Sequence, residues 1–217
     1  VGSFLAALGQ GFALGTVFEG ITVDAEGHFA GGIFDWLTWR SVIVALTLIQ
    51  AYVLVGSAYL ILKTTGELQA THFKTAKLAA WTTLAGAVFI TVSTPVFSAQ
   101  LRERLLEPPM LYIFGAIPIL GLVLVGLLLR SLYRGEENTP IIWTFMLFAL
   151  SFIGLGFVIF PQIIPPSITI YEAAAAPSSL VFMLTFIGFL IPILLFYNIY
   201  NYIVFRGKIA DENYGEA

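Results

Sequence analysis

Few residues of this 217-residue chain are of a type that catalyses reactions or binds a cofactor. There is no cysteine, which excludes a disulfide framework, a thiolate metal site and a cysteine nucleophile. The two histidines, His28 and His72, lie far apart and outside the long apolar runs, so neither is placed to ligate haem or copper within a span. No phosphate-binding glycine loop, Gly-x-Ser-x-Gly motif or carboxylate pair within a helix occurs. The residue types therefore predict no catalytic, cofactor-binding or metal site on this chain.

The candidates that remain for a proton path or a subunit interface are Glu19, Gln10 and Glu172. Glu19 lies near the outer end of the first apolar run, where an acid costs far less than it would at the bilayer centre. A proton-path role and an ordinary interfacial position are both open for it. The later apolar runs carry no ionisable residue in their interiors, although transporters usually place such residues at mid-membrane.

The acids Asp24 and Glu26 follow Glu19 closely and stand beside His28. Such a cluster suggests a divalent cation, yet its spacing matches no metal motif. We therefore interpret this segment as a solvated loop on the outer side of the membrane.

Glu172 is the one charged residue within 138–205, and it lies in a proline-rich break at 160–180. Each proline there removes a backbone N–H and restricts the residue before it, so no helix runs through the break. Such a segment must leave the bilayer or be buried in protein. We expect Glu172 in a loop near the outer surface, without a raised pKa. We also expect it, with Ser178 or Ser179, to cap the first turn of the next helix.

The elements that must position these residues are long and apolar. The chain is 59% hydrophobic and 11% charged, with a mean hydropathy of +0.92, whereas soluble domains carry about 25% charged residues. A spanning helix needs about 20 apolar residues. The charge-free runs are 1–18 (long enough if it continues to Val23), 41–62, 78–101, 108–129, 138–171 and 173–205. The sequence therefore predicts an all-α fold, a polytopic transmembrane bundle of six spanning helices.

Basic residues in the short loops predict the orientation of the bundle, because Lys and Arg accumulate on the cytoplasmic side. Seven of the ten fall on one side and three on the other. The larger set is Lys63, Lys74, Lys77, Arg130, Arg134, Arg206 and Lys208, and the smaller is Arg40, Arg102 and Arg104. Both ends of the chain are therefore predicted to be cytoplasmic. A net charge of −3 without a basic patch indicates no nucleic-acid partner.

Gly11 and Gly15 form a small-xxx-small row in the first helix. Residues four apart lie on one helix face, and small ones let another helix backbone approach closely. Packing within one bundle is the preferred interpretation, and a subunit interface is the alternative.

The order of the motifs resembles subunit II of cytochrome bd-type quinol oxidases, in particular the cyanide-insensitive branch. The segments that carry the resemblance are PQIIPPSITIYEAAAAPSSL at 161–180, YNIYNYIVFRGK at 197–208, GQGFALG at 9–15, GGIFDWL at 31–37 and LKTTGELQ at 62–69. They cover nearly the whole chain. The family's subunit II has eight spanning helices, so this chain resembles the last six and lacks the N-terminal portion. The acidic and aromatic residues of the family's proton path in this subunit lie in that portion and are not carried onto any position here.

The resemblance implies an organisation and a set of partners. Residues 1–64 would be the last two helices of a first bundle, 76–206 a second four-helix bundle and 207–217 a cytoplasmic tail. Haems b and d, together with the quinol and oxygen sites, would lie in a haem-bearing subunit I, while this subunit binds no haem. Some members bury a structural quinone in this subunit. A small single-span subunit and membrane lipid are further candidate partners, and the location would be the bacterial inner membrane.

The hypothesis that follows is a haem-free subunit of a quinol:oxygen oxidoreductase in the respiratory chain. It would stabilise subunit I and line a proton or oxygen path, without being catalytic alone. The rival is a multi-pass transporter in which the proline-rich segment is a broken helix around a substrate site.

Overall fold

Six long helices and one short hairpin make up the described part of this computed structural model, which comprises residues 1–21, 24, 28–97, 102–103, 107–108, 110–164, 168–205 and 207–208. The helices are α1 (Gly2–Glu19), α2 (Trp39–Lys63), α3 (Gly66–Phe97), α4 (Met110–Tyr133), α5 (Thr139–Ile159) and α6 (Pro177–Val204). Strands β1 (Gln162–Ile164) and β2 (Ile168–Thr169) pair antiparallel between α5 and α6. The predicted all-α membrane fold is confirmed, because α2 to α6 are each long and apolar enough to cross a bilayer.

Helix α1 is shorter than the sequence predicted. It ends at Glu19 and does not continue toward Val23, which itself lies outside the described residues. Gly20 adopts a φ of 90°, a conformation that glycine reaches without the steric cost of a Cβ. The 18 residues of α1 extend about 27 Å, and α1 is not among the five helices that meet the criteria for a span. Gly20 therefore places the Glu19 side chain at the end of a helix.

Helix α3 begins much earlier than predicted. The sequence predicts a loop for His72, Lys74 and Lys77, but all three lie within α3, which starts at Gly66 directly after Thr64 and Thr65. The interpretation as a loop was wrong because α3 extends well beyond its apolar run, so its charged first turns need not lie within the bilayer. The 32 residues of α3 extend about 48 Å, so its first turns project beyond a hydrocarbon core of about 30 Å.

The core lies where α2, α3 and α4 meet. Its buried members are Leu54, Ile61, Ala76, Ala79, Ala80, Leu128 and Leu132. Three alanines from α3 leave room for the larger residues of α2 and α4, so these helices pack closely. Helix α2 also packs against α1 and α5, and α4 packs against α5. The central position of α2 lets it hold residues from several elements in one place.

Helix α6 stands apart from this core. None of its 28 residues is buried, and along its length it has no extensive contact with another helix in the described part of the chain. Its start is tied to α5 by the β1–β2 hairpin. At its other end, Lys63 Nζ donates a hydrogen bond to the carbonyl oxygen of Phe205 at 3.0 Å. The apolar surface of α6 is therefore available to lipid or to another chain.

Candidate functional site

The first candidate, Glu19, lies at the junction between α1 and α2. Its Oε1 accepts a hydrogen bond of 2.8 Å from Thr38 Oγ1 and lies 3.9 Å from Arg40 Nε. Both charged side chains are largely removed from solvent, with 20% of Glu19 and 10% of Arg40 exposed. The carboxylate thus stands at the N-terminus of α2, where free N–H groups and the helix dipole attract an anion. It connects the end of one helix to the first turn of the next.

A reciprocal cap at the start of α2 fixes the residues that bind Glu19. Ser41 N donates to Thr38 Oγ1 at 3.0 Å, and Thr38 N donates to Ser41 Oγ at 2.9 Å. This is the capping-box arrangement, with serine at the third position instead of glutamate or glutamine. Ser41 Oγ also donates to Trp36 O at 2.7 Å. The Thr38 hydroxyl is therefore held in place by backbone contacts before it meets Glu19.

A small cavity of about 10 Å³ adjoins this junction, a volume at the lower limit for one water molecule. It is lined by Gly15, Phe18, Arg40, Val44, Phe89, Ile90 and Ser93. Arg40 and Ser93 supply its polar groups, and apolar side chains supply the rest. At this volume the cavity is too small to form a continuous path by itself.

The glycines of α1 lie against α2. A Cβ built on Gly11 would stand 2.3 Å from Ala45 Cα, and one built on Gly15 would stand 2.5 Å from Ser41 Cα. Real Cβ atoms do not approach so closely, so only glycine fits at these two positions. The close approach brings the α1 and α2 backbones together just below the Glu19 junction.

Gln10 lies on another face of α1, away from Glu19. Its Oε1 accepts a hydrogen bond of 2.8 Å from the Tyr52 hydroxyl of α2. The Tyr52 ring stacks on Phe148 of α5 with ring centroids 6.2 Å apart. Gln10 therefore forms a polar contact between α1 and α2 that is separate from the Glu19 junction. The structure does not bring it together with Glu19 or Glu172.

Glu172 lies in the exposed loop between β2 and α6. Its Oε2 accepts hydrogen bonds from Thr169 N at 2.8 Å and from Thr169 Oγ1 at 2.9 Å. These bonds, the backbone one first, lower the pKa of Glu172 below its usual range. The predicted cap was wrong, because α6 begins after Ala176 without any side-chain cap and the Glu172 carboxylate folds back onto Thr169. The segment around it is a hairpin and not a broken helix, which removes the feature that motivated a transporter.

The acids near His28, which the sequence analysis interprets as part of a solvated loop, have different partners in the structure. Asp24 Oδ1 accepts a hydrogen bond from His28 N at 2.7 Å, and the His28 ring lies 3.7 Å from the other carboxylate oxygen. Glu19 binds Thr38 instead, and Glu26 lies outside the described residues. Among the residues that are described, no group of three or more His, Asp or Glu side chains could hold a metal ion.

A polar cluster at the opposite end of the molecule escaped the sequence analysis. Glu137, in the loop between α4 and α5, forms an ion pair with Lys208, which follows α6. Gln69 Nε2 donates to Glu137 Oε1 at 3.2 Å and to Ile61 O at 2.9 Å. The hydrogen bonds from Lys208 and then Gln69 lower the pKa of Glu137 below its usual range. We call Lys63, Gln69, Glu137 and Lys208 the basal cluster.

Several residues of these sites carried a signal that the sequence analysis did not use. Thr38 and Ser41 have capping-box spacing ahead of an apolar run, which predicts a helix start. Arg40 was counted only as a loop charge, although a basic residue next to such a start lies within the first helical turn. No comparable local signal exists for Tyr52 or for the basal cluster, because their contacts join residues far apart in the sequence.

Two comparisons with known proteins bear on these sites. The family described as cytochrome bd terminal oxidase subunit II matches residues 1–205. The proteins called cytochrome bd-I ubiquinol oxidase subunit 2 from Escherichia coli K12, O6:H1 and O157:H7 are each 24% identical over 246 aligned positions. The alignment covers 98% of this chain and 65% of each relative, so the chain spans just under two thirds of their length.

Proposed function

The chain belongs to the cytochrome bd terminal oxidase subunit II family, and from this premise we propose that it acts as a haem-free subunit of a membrane quinol:oxygen oxidoreductase. The observation that carries the proposal is the family match, which extends over residues 1–205 and so includes all six long helices. In this role the chain stabilises a haem-bearing subunit I, and the oxidation of quinol and reduction of oxygen take place in that partner.

The histidines support placing haems b and d in the partner. His28 is exposed in the outer loop, where its backbone N–H donates a hydrogen bond to Asp24 and its ring lies near the same carboxylate. His72 lies in the first turns of α3, which project beyond the bilayer core. Neither residue is positioned to supply an axial ligand from inside a span, so haem does not fit the histidines of this chain.

Within the proposal, Glu19 is the residue of this chain that contributes to a proton path. It is an acid at the membrane boundary, it is largely removed from solvent, and a cavity of about 10 Å³ is lined in part by its partner Arg40. Because that cavity is small, residues of subunit I would complete the path. Glu172 is exposed and bonded to Thr169 in the hairpin loop, which favours a surface role for it.

The organisation is proposed to follow the family resemblance. Residues 1–64 and 76–206 would belong to a first and a second bundle, and 207–217 would form a cytoplasmic tail. The basal cluster is then cytoplasmic and the Glu19 junction is extracytoplasmic, in the bacterial inner membrane. A small single-span subunit and a structural quinone are further partners of this arrangement.

The test is to purify the affinity-tagged chain together with the products of its neighbouring genes and to record a reduced-minus-oxidised spectrum. The proposal predicts haem b and haem d bands that elute with the tag. Vesicles that contain the chain alone provide the contrast with a transporter, since substrate uptake by them would contradict the proposal.

A further inference from the structure

Four basic residues gather on one surface, where the early turns of α3 lie beside the end of α4. Lys77 Nζ of α3 lies 4.7 Å from the ring centroid of Tyr133, the last residue of α4. Lys74 is one turn from Lys77 on the same face of α3, and Arg130 is one turn from Tyr133 on the same face of α4. The backbone N–H of Arg134 donates to Arg130 O, which places Arg134 one turn beyond Arg130. We call Lys74, Lys77, Arg130 and Arg134 the basic surface.

The positive charges of the basic surface are not balanced by acids of the same chain. Within the part of the chain that the structure describes, none of its four side chains forms an ion pair. The two acids that follow α4 have other partners, since Glu136 accepts a hydrogen bond from Thr139 and Glu137 pairs with Lys208. Three members of the surface are exposed and Lys77 is half-buried. Because like charges repel, an anion bound among them would be favourable.

The basic surface lies at the edge of the hydrocarbon core on both helices. The charge-free runs 78–101 and 108–129 each stop directly at one of its members. Because Lys77 contacts Tyr133, the two edges lie at nearly the same height in the bilayer. The other two members lie one turn farther out, about 5–6 Å along the helix. The four cations are therefore at the depth of the lipid headgroups.

Apolar side chains continue the basic surface toward the bilayer centre. On α3, Leu78 and Trp81 lie on the face of the two lysines and are 67% and 51% exposed. On α4, Val123 lies on the face of Arg130 and is 53% exposed. A dissolved anion would contact only the cations of this surface. A molecule that matches both parts carries a negative headgroup and acyl chains.

We propose that the basic surface binds the phosphate group of an anionic phospholipid, whose acyl chains lie along the exposed apolar faces of α3 and α4. Basic pockets between membrane helices are suited to anionic headgroups in this way. Because residues of two helices bind one headgroup, the lipid connects α3 to α4. The inference goes beyond the proposed function, since it requires only the bilayer and no redox partner.

The test is native mass spectrometry of the tagged complex, purified with its neighbouring subunits, delipidated and titrated with phosphatidylglycerol or phosphatidylcholine. Arg130→Gln combined with Arg134→Gln removes two charges from the basic surface. The matched control, Arg102→Gln combined with Arg104→Gln, removes two charges elsewhere in the chain. Since one basic residue near a membrane surface changes the binding of anionic lipid by about fivefold, we expect the first pair to weaken phosphatidylglycerol binding by about tenfold to thirtyfold. The control pair should leave that binding unchanged.

Two variants of Lys77 separate the effect of charge from that of packing. Lys77→Gln should weaken phosphatidylglycerol binding by about threefold to fivefold. Lys77→Arg keeps the positive charge and can still lie over the Tyr133 ring, so its binding should equal that of the wild type. Loss of binding in both variants would indicate a packing role and contradict the proposal.

Equal binding of phosphatidylglycerol and phosphatidylcholine by the wild-type complex, or equal losses in the two arginine pairs, overturns the proposal. Protection of Lys74 and Lys77 from an amine reagent by a neighbouring subunit in the lipid-free complex also overturns it, because protein then covers the surface. The haem content of the same wild-type preparation tests the proposed function separately, so the failure of one proposal is distinguishable from the failure of the other.

Discussion

At the scale of residues, the two acids singled out from the sequence have different surroundings. Glu19 is held between a hydroxyl donor, an arginine and a helix N-terminus, and a water-sized cavity lies beside its partner. Glu172 is exposed in a loop, and its carboxylate accepts hydrogen bonds from Thr169, three residues earlier. Gly20 ends α1 directly after Glu19, so the Glu19 carboxylate stands at a helix end beside the start of α2. Of the two, Glu19 is therefore the better candidate for a contribution to turnover.

Replacing Glu19 by Gln tests that contribution. The amide oxygen of glutamine can still accept the Thr38 hydrogen bond, while the exchangeable carboxyl proton is lost. We expect Glu19→Gln to lower quinol oxidase turnover several-fold at unchanged haem content, measured as oxygen consumption by the purified complex. Glu67→Gln is the matched control, because Glu67 is exposed in the first turn of α3. Equal turnover in the two variants would assign Glu19 a purely structural role.

At the scale of elements, close packing of α1 on α2 is the feature most sensitive to a single methyl group. Gly11→Ala would place a Cβ 2.3 Å from Ala45 Cα, and overpacking of this kind costs about 1–3 kcal/mol. Gly126 in α4 has nothing within 4 Å of its Cβ position, so Gly126→Ala should be stabilising by up to about 1 kcal/mol through helix propensity. Thermal unfolding in detergent measures both. If the unfolding temperatures of Gly11→Ala and Gly126→Ala both rose or both fell, the close packing of α1 on α2 would be contradicted.

The basal cluster gives the end of α6 a dependence on pH. The pKa of Glu137 is lowered in the folded state, so its contacts contribute above the carboxyl range and are lost as the pH falls through that lowered pKa. We expect the end of α6 to separate from the α4–α5 loop on acidification, measured as the distance between spin labels placed at each. In Glu137→Gln the distance should be insensitive to pH. A distance between the labels that stays constant with pH in the wild-type chain would show that the basal cluster does not hold the end of α6 to the α4–α5 loop.

The sequence alone was sufficient to identify the long helices, but not to place the end of α1 or the start of α3, nor to predict how the helix ends interact. Runs of apolar residues give the spans directly, because a membrane helix must satisfy its backbone internally and expose apolar side chains. The early start of α3 is not predictable from His72, Lys74 and Lys77, because such charged residues are as typical of a loop as of a helix end that projects beyond the bilayer. The pairing of Gln69 with Glu137, or of Gln10 with Tyr52, depends on which helices are neighbours. Local patterns do not contain that information.

At the scale of the whole molecule, the chain exposes apolar surface that a bilayer or a partner must cover. Helix α6 has no buried residue, and the α1 face around Gln10 is open. Two ion pairs lie near opposite ends of the bundle, one at the Glu19 junction and one in the basal cluster. In the proposed role as subunit II of a quinol oxidase, this exposed apolar surface would hold a neighbouring membrane subunit.

The most direct test of that role is the reduced-minus-oxidised spectrum of material purified through a tag on this chain. The account predicts haem b and haem d bands at a constant ratio to the tagged chain across the elution peak. Material that contains the folded chain in good yield and shows no haem bands would contradict it.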